Sequence, residues 1–199
     1  MSNWITSAMQ DGGYLMVAFL MFIENVFPPI PSEVVMPLAG YIAEREGMSL
    51  ILMIASGSFG GFAGAFLWYG LGHWIGTEGV KNFARKYGRL LTMTPREIDQ
   101  ADAWFDSHGT KAVFFGRLIP GVRTFISVPA GLSEMSLRRF AIYTALGTTV
   151  WTTFLAVAGW YLGANYEAVS GWLAPVSKVI IAVIVLGYVY RVITFDPEK

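Results

Sequence analysis

The sequence predicts an all-α integral membrane protein: an inverted repeat of re-entrant helical hairpin plus spanning helix, with an extra C-terminal spanning helix. Three observations carry this. Apolar residues and glycine together make roughly 65% of the 199 residues, where soluble domains hold about 45–50%, and mean hydropathy is +0.50. Two long runs carry no charged residue and exceed the ~20 residues a helix needs to cross hydrocarbon. Two other apolar stretches, broken by prolines and charges, recur with matching spacing.

Charge and composition narrow the chemistry before any element is placed. Fourteen Lys+Arg balance 14 Asp+Glu, so no nucleic-acid partner is expected. With no cysteine, and histidine only at His73 and His108, a disulfide framework, a thiolate site and a histidine-rich metal site are excluded. Neither metal nor cofactor is expected. The chain reads as a single membrane domain over 1–199, and Met1-Ser2-Asn3-Trp4 lacks the basic region of a cleaved signal.

The first broken stretch runs from Gly12. Twelve uncharged residues reach Ile23, then Glu24, Pro28, Pro29, Pro31, Glu33 and Pro37 interrupt before the run resumes to Ala43. A straight helix cannot hold that pattern. Irregular backbone at membrane depth is tolerated only where protein buries it or it lines a wet cavity, which points to a re-entrant hairpin. The charge-free run from Glu46 to Glu78 follows and predicts a spanning helix over about 49–76. Within it Gly57, Gly60, Gly61 and Gly64 give small-xxx-small spacing, read as close helix packing rather than a phosphate loop. Gly70, Gly72 and Gly76 imitate a dinucleotide fingerprint without the strand that it requires.

A polar connector occupies 77–110. Thr94-Pro95-Arg96-Glu97 combines a capping threonine, a proline at the first helical position and a glutamate at the third, predicting a short surface helix that Gly109 ends. Ile98, Ala101 and Phe105 form its apolar stripe, with Asp99, Asp102 and Asp106 facing elsewhere. Asp106-Ser107-His108 are consecutive and cannot converge as a hydrolase triad.

The second half, 111–165, repeats the first, 12–76. From Ala112 to Ser133, Arg117, Pro120, Gly121, Arg123 and Pro129 punctuate Val, Phe, Leu and Ile, predicting a second re-entrant hairpin. The charge-free run from Arg139 to Glu167 predicts a spanning helix at 139–164. Pro29 precedes Ala39-Gly40 as Pro120 precedes Ala130-Gly131; Met48-Ser49-Leu50 and Met135-Ser136-Leu137 open the long helices, and Trp68-Tyr69 and Trp160-Tyr161 stand near their ends. A last spanning helix is expected at 169–191, ending at Tyr188, Tyr190 and Arg191 like an interfacial anchor.

Orientation follows from the basic residues. Lys81, Arg85, Lys86, Arg89 and Arg96 place the connector in the cytoplasm, and the C-terminus with it. The first long helix then runs outside to inside and the second inside to outside. The repeats are inverted, and their hairpins meet near the midplane, where alternating-access sites lie.

Four ionisable residues of the hairpins carry the candidate chemistry: Glu24, Glu33, Arg117 and Arg123. They could pair as two Glu–Arg bridges with a holding role only. Alternatively, two guanidinium forks could clamp a phosphate while a released carboxylate accepts a proton, coupling the two movements. No nucleophile with its base is evident beside them, so no catalytic residue is assigned.

Glu24-Asn25-Val26-Phe27-Pro28-Pro29-Ile30-Pro31-Ser32-Glu33 with Ala39-Gly40, and Phe115-Gly116-Arg117-Leu118-Ile119-Pro120-Gly121-Val122-Arg123-Thr124 with Pro129-Ala130-Gly131, closely resemble the two signature stretches of the DedA family, also called the SNARE-associated Golgi protein family. The resemblance implies a multi-pass protein of the bacterial cytoplasmic membrane with two opposed re-entrant hairpins, shaped by Pro28, Pro29, Pro31, Pro120, Gly121, Pro129, Gly40 and Gly131. It implies an essential acidic pair at Glu24 and Glu33 and an essential arginine pair at Arg117 and Arg123. Some members carry aspartate where this chain has Glu33. The Pro-Pro-Ile-Pro-Ser-Glu form resembles the branch associated with undecaprenyl phosphate. The implied function is a flippase moving an anionic lipid phosphate, undecaprenyl phosphate first, with proton coupling and homo-oligomerisation open. A phospholipid scramblase is the alternative, and a membrane-embedded lipid-phosphate enzyme a lesser one.

Overall fold

The structure is a computed structural model that describes residues 2–27, 32–91, 94–120 and 122–162, with Leu186, Gly187, Tyr190 and Ile193 near the C-terminus. Among the described residues all regular structure is helical. Seven helices follow in order: α1 (Ser2–Val26), α2 (Ser32–Arg45), α3 (Leu50–Leu91), α4 (Pro95–Gly116), α5 (Val122–Phe125), α6 (Ser127–Leu132) and α7 (Leu137–Leu162). Two are long and apolar enough to cross a membrane, Leu50–Phe83 within α3 and Leu137–Leu162. Most of each lies within one of the two charge-free runs. The expected helix at 169–191 lies outside the described residues apart from three positions.

Helix boundaries depart from the expectation at two glycines. The long helix does not stop near residue 76: Gly76 adopts φ 65, and α3 continues beyond it to Leu91. The helix opened at Thr94 likewise runs through Gly109 to Gly116, where the expectation ended it. A glycine without a left-handed φ is simply a weak helix residue. Gly109 lies against Phe105, so close that a Cβ there would stand 2.8 Å from the ring. Its start follows the capping-box expectation: the Thr94 amide donates to Glu97 Oε2 (2.9 Å) and the Glu97 amide donates to Thr94 Oγ1 (3.2 Å). Ile98 and Phe105 are buried on α4, but Ala101 is exposed. Asp102 turns inward rather than away, accepting from Thr77 Oγ1 at 3.3 Å, because α3 extends past Gly76 to meet it. Lys81 on α3 joins the same seam through Asp99 (2.5 Å).

The faces of α7 explain why this bundle suits lipid. Its inward face is small and polar, with Thr144, Gly147, Thr148, Thr152, Ala156 and Gly159 buried. Its outward face carries Ile142, Leu146, Val150 and Phe154 at helical spacing. That polarity is the reverse of a soluble helix and matches membrane bundles, where small residues let backbones approach and polar residues bridge helices. Phe59, Leu67 and Trp74 on α3, and Leu15 and Phe19 on α1, extend the apolar exterior.

Two glycine-mediated contacts hold the halves together. In α2, a Cβ on Gly40 would collide with the Ala156 carbonyl of α7, while one on Gly159 would collide with the Pro37 carbonyl. In α6, a Cβ on Gly131 would collide with the Tyr69 carbonyl of α3, while one on Gly72 would collide with the Val128 carbonyl. Each short arm thus rests on the long helix of the other half. Gly60 and Gly64 seat α1 on α3 in the same way, against the Ala18 carbonyl and the Asn25 side chain, as the small-xxx-small spacing predicts. The turns before α3 and α7 also share a device, a left-handed residue, Gly47 (φ 66) and Glu134 (φ 49), each followed by Met-Ser-Leu.

Candidate functional site

The end of α1, the turn after α4, and α5 with α6 carry the buried polar residues in two groups, Glu24 with Arg123 and Arg117 with Ser127, the second lying against α7. Glu24 and Asn25 lie on the last turn of α1, Arg117 caps the C-terminus of α4, Arg123 and Thr124 lie on α5, and Ser127 opens α6. All of them are buried.

Arg123 and Glu24 form an ion pair, Nη2 to Oε1, across the two halves. The other Glu24 oxygen, Oε2, is buried without a hydrogen-bond partner among the described residues. Arg117 is different. Its side chain is only 2% exposed, yet the groups that hold it are neutral: Nη2 donates to Ser127 Oγ at 2.5 Å, and the guanidinium carbon lies 5.9 Å from the centre of the Phe140 ring. Its stem presses on α7 at Gly147, where a Cβ would stand 2.7 Å from Arg117 Cβ. Its Nε has no partner among the described residues. A guanidinium is always charged, so Glu24, Arg117 and Arg123 together leave one uncompensated positive charge inside the bundle. That arrangement favours an anion, and two planar forks suit a phosphate or carboxylate.

Of the four expected ionisable residues, the structure therefore joins Glu24 to Arg123 and places Arg117 beside Ser127. Glu33 stands apart, half-buried in the first turn of α2, and among the described residues no ion pair reaches it. The reading with two Glu–Arg bridges is thus met by one. Gly40 and Gly131 lie inside helices, where they admit a carbonyl rather than shape a turn. Pro120 lies in the turn after α4 and Pro129 inside α6. Pro28, Pro29, Pro31 and Gly121 lie outside the described residues.

Sequence reasoning passed over Asn25, Ser127 and Thr144. Asn25 Nδ2 donates to the Gly61 carbonyl (3.0 Å), and the Asn25 backbone carbonyl accepts from Trp68 Nε1 (2.8 Å). Thr152 bonds back to the Thr148 and Thr149 carbonyls (2.9 and 3.1 Å) and shares a 2.6 Å hydrogen bond with Ser58. The usable signal was the four-residue spacing of Thr144, Thr148 and Thr152, a polar stripe in an otherwise apolar helix. A separate cavity of about 470 Å³, lined by Asp106, Ser107, Glu134 and Arg139 among others, contains none of these groups. Both histidines are exposed, with His73 stacked on Tyr69 and His108 on Trp104.

The chain is similar to known proteins over most of its length. The VTT domain matches residues 30–161. An "Alkaline phosphatase-like protein" of Lactococcus lactis is 36% identical over 200 residues, covering 100% of this chain and 94% of that protein. "Undecaprenyl phosphate transporter A" of Bacillus subtilis is 31% identical over 193 residues, covering 95% and 91%. "Protein DedA" of Escherichia coli is 26% identical over 160 residues, covering 75% and 68%. No solved structure matches the chain. With a domain match across most of its length, two apolar helices of spanning length, and relatives named undecaprenyl phosphate transporter A and DedA, the chain belongs to the DedA family of VTT-domain membrane proteins.

Proposed function

We propose that this protein carries a lipid phosphate, undecaprenyl phosphate first, between the leaflets of the bacterial cytoplasmic membrane. The observation that carries the proposal is Arg117: a buried guanidinium held by a hydroxyl and an aromatic ring, six residues before a second buried arginine that is already paired. Leaving a charge inside a bundle is costly unless something binds it. A phosphate arriving at Arg117 and Arg123 would displace Glu24 from Arg123, and the released carboxylate would then take up a proton. Substrate and proton thereby compete for one arginine, which is the proposed coupling; Glu33 is a second proton acceptor in this scheme. The name of the Bacillus subtilis relative supports undecaprenyl phosphate over a phospholipid. Carriage rather than catalysis is supported by the surroundings of the arginines, since the chain has no cysteine and both histidines face outward elsewhere.

The proposed frame is an inverted repeat of two re-entrant hairpins with the connector cytoplasmic. Its support is the recurrence of contacts. The spacing that takes Met48 to Met135 also takes Tyr69 to Ala156 and Gly72 to Gly159, while the spacing that takes Gly40 to Gly131 takes Pro37 to Val128. The two arm-on-helix contacts are therefore the same contact made twice. The Trp68-Tyr69 and Trp160-Tyr161 words do not share this register.

The test is reconstitution. Purified full-length protein in liposomes should move undecaprenyl phosphate, and an imposed pH gradient should change the rate. Arg117→Ala and Arg123→Ala should abolish movement while folded protein remains in the membrane. Lysine at both positions should rescue poorly, because it lacks the fork; full rescue would reduce the role to positive charge. Equal movement of phosphatidylethanolamine would make a phospholipid scramblase the better description.

A further inference from the structure

Arg117 lies along α7 between Phe140 and Gly147, a stretch of surface that contains Thr144. One turn on, Thr148 faces α1 and α3. A Cβ at Gly61 would meet Thr148 Cγ2 at 3.2 Å and Asn25 Nδ2 at 3.9 Å. The hydroxyls of Thr144 and Thr148, together with Asn25 Oδ1 and Arg117 Nε, are all buried and have no hydrogen-bond partner among the described residues. A helical threonine ordinarily bonds to its own backbone, as Thr152 does on the same face. Two successive turns that decline that bond, the first of them between the two α7 residues that Arg117 touches, leave unfilled donor positions in a low-dielectric interior.

We infer that Thr144 and Thr148 are ligands for the terminal oxygens of a phosphate monoester held by Arg117. The inference rests on the lipid-phosphate reading above and assigns residues to it. A monoester has three non-bridging oxygens, each able to accept more than one hydrogen bond, so two guanidinium forks leave acceptor positions open, whereas a phosphodiester has two such oxygens. Two hydroxyl donors on α7 would favour the monoester. Ser127 then serves as a positioning residue that holds Arg117 between substrates. The orphaned hydroxyls weaken the empty protein, and substrate repays them.

This makes an unusual joint prediction for Thr144→Val and Thr148→Val, which keep the shape and remove the hydroxyl. The melting midpoint of the ligand-free full-length protein should be unchanged or raised. The concentration of undecaprenyl phosphate giving half-maximal stabilisation should rise at least tenfold in the double variant. Thr144→Ser with Thr148→Ser should keep affinity within threefold of the parent. Inorganic phosphate and phosphatidylethanolamine serve as further arms: competition by inorganic phosphate that the valine variant loses would place a terminal phosphate at the threonines irrespective of the lipid tail, and equal stabilisation by phosphatidylethanolamine, a diester, would overturn the preference for a monoester. A parent protein that binds undecaprenyl phosphate and a valine double variant that binds it equally would overturn the assignment and leave the proposed function standing. A valine variant with a lowered midpoint and unchanged affinity would do the same, by showing a purely structural role. A parent that binds neither phosphate would remove both.

Discussion

Truncating Glu24 tests whether the ion pair across the two halves holds the site together. In Glu24→Ala the Arg123 guanidinium keeps its burial, with side-chain exposures of 7% for Arg123 and 5% for Glu24 in the parent, but loses its counter-charge. Breaking a buried pair from one side costs about 3–5 kcal/mol, because a charge is left stranded in low dielectric. For a chain of this size 1 kcal/mol moves the melting midpoint by about 2–4 °C, so the expected fall is roughly 6–20 °C. Glu24→Gln should fall less, since its amide oxygen still accepts from Arg123. Replacing both partners, Glu24→Ala with Arg123→Met, should recover most of the loss, because an apolar substitute removes the stranded charge. The assay is thermal unfolding in detergent followed by size exclusion, run as a double-mutant cycle. A phosphate-bearing lipid should raise the midpoint of Glu24→Gln more than that of the parent, because it no longer has to displace a carboxylate. The reasoning fails if Glu24→Ala loses under 1 kcal/mol, or if the double variant is no better than the single. Either result would mean that Arg123 is satisfied without Glu24, and competition between substrate and carboxylate would have no basis.

Three further outcomes follow from the packing. Gly131→Ala and Gly40→Ala each drive a methyl into a backbone carbonyl of the opposing long helix and should destabilise by about 1–3 kcal/mol or more, whereas Gly70→Ala, with open space around it, should be neutral or slightly stabilising in the same melting assay. Glu134→Gly relieves the left-handed φ of 49 and should raise stability by about 1 kcal/mol; a loss instead would show that the Glu134 side chain holds the turn. Thr94→Ala removes the capping box of α4 at a cost of about 1 kcal/mol, and hydrogen exchange at Arg96, Glu97 and Ile98 should quicken while the centre of α7 stays protected.

What the sequence determined by itself was whatever depends on solvation and short spacing. Hydropathy located the two long helices, because a span is defined by the missing charges along one continuous segment, and Thr94 with Glu97 announced a helix start, because a capping box closes within four residues. The glycines of α3 foretold close approach for the same local reason. Charges in apolar surroundings pointed to candidate residues, since such residues need partners wherever they stand, and three of the four, Glu24, Arg117 and Arg123, are buried. Tertiary structure decided which partners: Glu24 reaches Arg123 across the chain while Glu33, equally acidic and nearer the proline turn in sequence, does not. It also decided that α4 continues through Gly109, packed against Phe105, and that α3 resumes beyond Gly76, which adopts φ 65. The same holds for Thr144, Thr148 and Thr152, three identical residues at equal spacing on one helix. Only the neighbours brought by α1, α3 and the turn after α4 separate the threonine that bonds to its own backbone from the two whose hydroxyls have no partner among the described residues.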